Sequence, residues 1–168
     1  MITLRCTERL RKGLHVTAAE DPPVSTTVLG DWFGQPVLTR YVRLILLVSE
    51  KSRLPVLVPA RQLESFEKRF RRALGDLLRE IGIPAEAIRR ERAEMEELVY
   101  ARTNSRSVLG TMNEYTGFLL GALSEEPEKS LYELAVELSE LRSGPLDYAR
   151  PRDVACLLLG AAPLGVDV

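Results

Sequence analysis

Histidine and cysteine are nearly missing from this chain: one of the first and two of the second in 168 residues. That scarcity excludes several chemistries at once. Cys6 and Cys156 lie too far apart in sequence to form a disulfide framework, so a reduced, cytoplasmic setting is expected. Two thiols and His15 cannot make a tetrahedral zinc site without recruiting several carboxylates, so no metal and no cofactor are expected. Long apolar runs are absent too. The longest, LILLV at 44–48, has the length of a buried strand and falls far short of a membrane span. The opening MITLRCTERLRKG has no apolar block of the signal-peptide kind. No glycine-lysine phosphate loop and no nucleophile-elbow pattern occurs.

What is present is the composition of an ordinary globular chain: 45% hydrophobic and 28% charged residues. The net charge is −1, unevenly spread. Residues 1–60 carry 8 basic and 5 acidic side chains, residues 61–106 carry 11 and 9, and residues 107–168 carry 4 and 10. Two mildly basic segments thus precede an acidic one. Attraction between parts of one chain is the simpler explanation, and a polyanionic partner the other. Arginine greatly outnumbers lysine, which suits bidentate contact with phosphate or carboxylate.

The hydrophobic period divides the chain. Ile2, Leu4 and Cys6 alternate with polar residues as a half-buried strand does. Residues 18–27 read as loop. In DWFGQPVLT, Pro36 cannot donate to a ladder, so a strand here is expected at an edge or interrupted. VRLILLVSE (42–50) and LPVLVP (54–59) read as an antiparallel hairpin around a polar turn. The period then lengthens. Leu63, Phe66, Phe70, Ala73, Leu74, Leu77, Leu78 and Ile81 form one helical stripe, capped by Gly82. Pro84 opens a second helix, expected over 84–99 with a thin apolar face of Ile88, Met95, Leu98 and Val99. A third is expected over 107–123, burying Leu109, Met112, Leu119, Leu120 and Leu123. Gly117 and Gly121 in it cost about 1 kcal/mol each relative to alanine, so a close crossing is expected as compensation. A fourth helix spans 128–142, with Leu131, Leu134, Leu138 and Leu141 as its stripe. A short one runs from Pro151 through Leu159, before a small-residue tail. The order implies one α+β domain over 1–168. A small antiparallel sheet from residues 1–60 would pack against helices over 61–124 and a helical extension over 125–168.

The chemistry-bearing stretch is RTNSRSVLGTMNE, 102–114. Ser107 reads as the N-cap of the third helix. Free N–H groups at that start, with Arg102 and Arg106 nearby, favour an anion. Ser105, Ser107, Asn113 and Glu114 complete the candidate ligand-binding set, and Arg106, Gly110, Asn113 and Gly117 share a face by their spacing. The plainer reading is a capped helix whose polar side chains tie down neighbouring backbone. Trp32 and Phe33 form a candidate aromatic surface, against a default of core anchors. Cys6 and His15 make a weak nucleophile–base pair, because a strand thiol facing inward is inert. The arginines of EKRFRRALGDLLRE and the carboxylates of RAEMEELVY read as solvated helix faces. No catalytic residue is assigned.

The order of these segments resembles a bacterial domain family of unknown function. The segments that carry it are MITLRCT, LGDW (29–32), LLVSEK (46–51), LPVLVPAR (54–61), the Arg-Phe pair at 69–70 and YARTNSRSVLGTMNE (100–114). It covers roughly residues 1–120, and the chain beyond about 125 matches nothing in it. The resemblance implies a shared fold and brings no activity, substrate or site residue. It directs attention to Arg102, Thr103, Ser105, Arg106, Ser107, Gly110, Asn113 and Glu114 as a block. Two functions remain: a non-enzymatic binding or interaction module, favoured because no strong nucleophile–base pair exists, and an enzyme acting on an anionic small molecule held at 102–114. The partners left are a protein or a small anion, with nucleic acid a weaker alternative and no membrane.

Overall fold

The computed structural model describes residues 1–161; the small-residue tail expected after Leu159 lies, from residue 162, outside them. The chain is α+β. Five strands form one sheet: β1 Ile2–Cys6, β2 Trp32–Leu38, β3 Arg43–Ser49, β4 Pro55–Pro59 and β5 Leu98–Arg102. Among the described residues six α-helices accompany them: α1 Glu8–Leu14, α2 Phe66–Glu80, α3 Ala85–Glu94, α4 Arg106–Glu125, α5 Leu131–Ser139 and α6 Pro151–Leu158. The strand order is β4-β3-β2-β1-β5. No helix among the described residues is long and apolar enough to cross a membrane.

The β3–β4 hairpin forms as its pattern requires, with Leu44 opposite Pro59 and Leu47 opposite Val56. Its near-continuous apolar run is buried on both faces. Ile45 and Leu47 join one hydrophobic cluster; Leu44, Leu46 and Val48 join the other. The first cluster holds Phe66, Phe70, Leu74, Leu77 and Leu78 of α2 with Ala87 and Ile88 of α3. The second holds Val108, Met112, Leu119 and Leu123 of α4 with Leu134 and Leu138 of α5. Helices therefore cover both faces of the sheet.

Three expectations are corrected. The sheet is mixed, because β1 runs parallel to both β2 and β5. A parallel neighbour needs a crossover of a dozen or more residues, and the segment read as a helical turn and loop between Cys6 and Trp32 is that crossover. Second, β2 is central despite Pro36. Gly34 accepts from the Thr7 amide at 3.1 Å on the β1 side. Pro36, two residues on, faces the same side after β1 has ended at the Cys6–Gly34 pair, so no ladder bond is lost. Third, the helix expected over 84–99 stops at Glu94, and Leu98–Arg102 is strand β5. β-branched and aromatic Val99 and Tyr100 suit a strand, and pairing along all of β1 outweighs the helical spacing.

Details of the helices shift as well. Glu91 is not on a solvated face. It is 2% exposed and accepts from the amides of Val28 (2.7 Å) and Leu29 (2.9 Å). Leu120 is 46% exposed. Gly117 and Gly121 meet no crossing element: a Cβ at either would find nothing within 4 Å.

Candidate functional site at the start of α4

The sheet brings the ends of β1 and β5 together, with Cys6 opposite Arg102. From there the chain departs in opposite directions. α1 sends Leu10 into the first cluster, whereas α4 sends Val108 and Met112 into the second. Adjacent parallel strands whose continuations leave to opposite faces define a switch point, where α/β sheets bind ligands.

α4 is 20 residues long and begins with Arg106. Its N-cap is Ser105, whose Oγ accepts from the Val108 amide at 3.2 Å. This corrects the assignment to Ser107. The first turn holds no acidic residue, so the positive end of the helix has no counter-charge of its own.

Ser107 has a different task. Its Oγ accepts from Nη2 of Arg53 at 2.9 Å. Arg53 occupies the β3–β4 turn in the left-handed region, φ 59°, and is 8% exposed. Its carbonyl accepts from the Tyr115 hydroxyl at 2.7 Å, but its Nε and Nη1 are buried with no hydrogen-bond partner among the described residues. Burial holds this guanidinium below its ordinary pKa, against the opposing influence of Tyr115 and Glu50. A buried cation short of acceptors is costly to the fold.

Beside it, Arg5 donates from Nε to Asp31 Oδ2 at 2.8 Å and from Nη1 to the Arg102 carbonyl at 3.0 Å. Ser25 donates to Asp31 Oδ1 at 2.6 Å, and the Asp31 amide donates to Glu50 Oε2 at 3.2 Å. Gly30 makes this approach feasible. Its φ is +79°, and a Cβ there would sit 2.9 Å from Glu50 Oε2. Four separated sequence blocks, those containing Arg5, Asp31, Glu50 and Arg102–Ser107, are thereby joined around one helix start.

The structure places the sequence candidates unequally. Arg102, Arg106, Ser107, Asn113 and Glu114 are exposed, and Ser105 is half-buried. Arg106, Gly110, Asn113 and Gly117 are all exposed, as residues sharing an outward face would be. The side chains of Arg102, Arg106, Asn113 and Glu114 make no hydrogen bond among the described residues. Trp32 and Phe33 form no aromatic surface. Both are 0% exposed, because adjacent strand residues point to opposite faces and both faces are covered. Trp32 meets Phe70 edge-on, centroids 5.2 Å apart, and Phe33 joins the cluster under α4. Cys6 and His15 do not form a pair. Cys6 is buried, its thiol pushed up to about 12 by burial, while His15 is exposed at the far end of α1. Arg5, Asp31 and Arg53 were missed by sequence reasoning. Arg5 and Asp31 lie inside the MITLRCT and LGDW segments, which was a usable signal; Arg53 lay in what read as a polar turn.

Clefts of about 450, 540 and 670 Å³ lie between α2 and α3, between α3 and Leu158–Gly160, and beside Pro127–Leu131. None is lined by residues 102–114. No group of three or more His, Cys, Asp or Glu among the described residues is placed to hold a metal.

A mixed five-stranded sheet with helices on both faces and a polar cluster at one helix start defines an α+β domain protein whose activity the fold does not name. The chain belongs to the family described as "Domain of unknown function (DUF6933)", whose model matches residues 3–154. That match reaches past the roughly 120 residues expected from the resemblance and takes in α5 and the first turn of α6. No curated protein and no solved structure matches the chain.

Proposed function

We propose that this protein is a non-enzymatic binding module that receives an anionic group, carried by a protein partner or a small molecule, at the start of α4. Arg102 and Arg106 reach the group from solvent, and the N–H groups of the first turn, with Ser105 and Ser107, orient it. Asn113 and Glu114 extend the contact surface along the helix. The observation that carries this reading is Arg53. Its guanidinium is buried under the first turn, bonded to Ser107 alone, and short of acceptors. An anion at this helix end adds negative charge beside a buried cation that is short of acceptors. Exposed side chains and the absence of residues 102–114 from the three clefts described favour a docking surface over a catalytic pocket.

Thermal-shift titration with phosphate, nucleotides and dicarboxylates tests the reading. An anion is expected to raise the melting temperature, and Arg106→Ala is expected to reduce that rise. No shift with any anion, or a shift untouched by Arg106→Ala, overturns it.

A further inference from the structure

The apolar stripes of α2 and α3 face the sheet, and the flanks left over face each other across the 450 Å³ cleft. Arg71 and Arg79 line it from α2, Arg89 and Arg92 from α3, with Glu96 as the one carboxylate on its wall. The apolar part of the lining, its floor, is Ala85 and Ala93, both exposed, with the edge of Ile88, 4% exposed, between them. Three of the arginines are partly engaged, two along their own helices and one across to the end of α3. Arg79 pairs with Asp76 at 2.9 Å, Arg89 pairs with Glu86, and Arg71 donates to the Met95 carbonyl at 3.3 Å. One such contact leaves most of a guanidinium's five N–H donors free. Arg92 forms no ion pair among the described residues. It lies over Gly75 of α2, where an added Cβ would stand 3.5 Å from its Cδ and Nη1. Arg92 is exposed, and Nη2 of Arg79 stands 3.7 Å from the same point over Gly75, so the two guanidinium groups approach one another there.

A cleft of this size, with converging arginines above an apolar floor, has the make-up of a small-molecule site. Polyanion contact alone would not need the floor. We propose that it binds a phosphate monoester with a compact apolar or aromatic body, the phosphate on Arg79 and Arg92 and the body on Ile88 and the alanines. Arginine suits both parts, since its plane bonds phosphate with two N–H groups and stacks on flat rings. This site is independent of the one proposed at α4.

Calorimetric titration of the full chain with phenyl phosphate, inorganic phosphate and phenol tests it. Phenyl phosphate is expected to bind about tenfold or more tighter than phosphate, because only it covers the floor, and phenol is expected not to bind. Arg92→Gln and Arg79→Gln are each expected to weaken phenyl phosphate about tenfold, as loss of a charged hydrogen bond does. Arg106→Gln, in α4, is expected to leave it unchanged. Amide resonances of Ala85, Ile88 and Ala93 in the unsubstituted protein are expected to shift on titration, which decides the matter even where a variant folds poorly. Phenyl phosphate binding no tighter than phosphate, affinity indifferent to both cleft arginines, or shifts confined to the start of α4 overturns the proposal.

Discussion

Two serines, one residue apart in SRSVLG, are expected to fail in different ways when replaced by alanine. Ser105 caps α4 through the Val108 amide. Ser105→Ala therefore costs about 1 kcal/mol, the usual loss of an N-cap, whatever stands at position 53. Ser107 caps nothing; it accepts the one hydrogen bond that the buried Arg53 guanidinium makes. Its removal leaves a charged group without any partner, a penalty of about 1–3 kcal/mol. Ser107 is itself exposed, so water takes over part of its role and the lower half of that range, about 1–2 kcal/mol, is expected. The two losses alone are similar in size. The difference appears in a second background, Arg53→Met. Methionine keeps the length of the stem and bears the same left-handed backbone cost, and the Tyr115 bond goes to the carbonyl of residue 53, which survives. There Ser107→Ala is expected to cost almost nothing, while Ser105→Ala still costs about 1 kcal/mol. Urea unfolding of the six proteins gives two coupling energies. About 1 kcal/mol for Ser107 with Arg53, and less than the usual scatter of about 0.5 kcal/mol for Ser105, is the expected pair. Equal coupling for both serines, or none for Ser107, would refute the division of labour.

Glu91 should make stability fall as pH rises. Burial, the main influence, raises its pKa in the fold, and the Leu29 and Val28 amides oppose the rise. The native state thus holds a proton that the unfolded chain releases near the ordinary glutamate value. Its contribution is whole below that value and is lost as pH climbs through the raised one. Urea midpoints between pH 4 and 7 are expected to improve in Glu91→Gln relative to the unsubstituted protein as pH increases; a trend of opposite sign counts against this. Cys6, pushed up to about 12 by burial, is expected to resist a small alkylating reagent at pH 8 in the native protein and to react in urea, read by mass spectrometry; rapid native labelling would contradict its burial. Glycines should divide by surroundings. Gly30→Ala is expected to cost roughly 1–3 kcal/mol, from positive φ and a close contact with Glu50. Gly121→Ala, in open space on α4, is expected to gain up to about 1 kcal/mol of unfolding free energy. Equal effects at the two sites would show that neither setting matters.

The elements legible in the sequence are those where one period dominates. The stripe from Phe66 to Ile81 repeats every three or four residues, and it packs on one face of the sheet. The run at 44–48 is apolar at every position because both of its faces are covered. Where spacing fits two periods, tertiary pairing decides. Met95, Leu98 and Val99 fit a helical face, yet β1 offers five paired positions to Leu98–Arg102. A sequence carries no mark of which distant segment will pair with a strand, and Leu4 pairs with Trp32 while Ile2 pairs with Leu98, so the parallel edges of β1 were invisible. Pro36 misled for a related reason. Its missing N–H matters only on a side that is paired, and the end of β1 left that side vacant.

The same distinction separates the two halves of the α4 cluster. Its exposed half is local: Ser105, Arg106 and Ser107 follow one another, and a helix start is written in consecutive residues. Its inner half is assembled from three other places in the chain. Arg5 comes from β1, Asp31 from the approach to β2 and Arg53 from the hairpin turn, and none is polar in a way that sets it apart from a surface residue. Their partners give them their character: Arg5 and Asp31 are half-buried and paired, and Arg53 is buried. Arg5 finds Asp31 and the Arg102 carbonyl, whereas Arg53 finds one hydroxyl and is left short. A stability argument alone would replace Arg53 with an apolar residue of similar length, since a buried, under-bonded cation weakens the fold. Its presence at the start of α4 is therefore the feature that most calls for a functional reason, and the proposed anion would supply one. The arginine cleft between α2 and α3 lies over the other face of the sheet, and its guanidinium groups are solvated, so it bears no such cost. Binding there is free to vary without disturbing the core, while any change at Arg53 is felt by β3, β4 and α4 together.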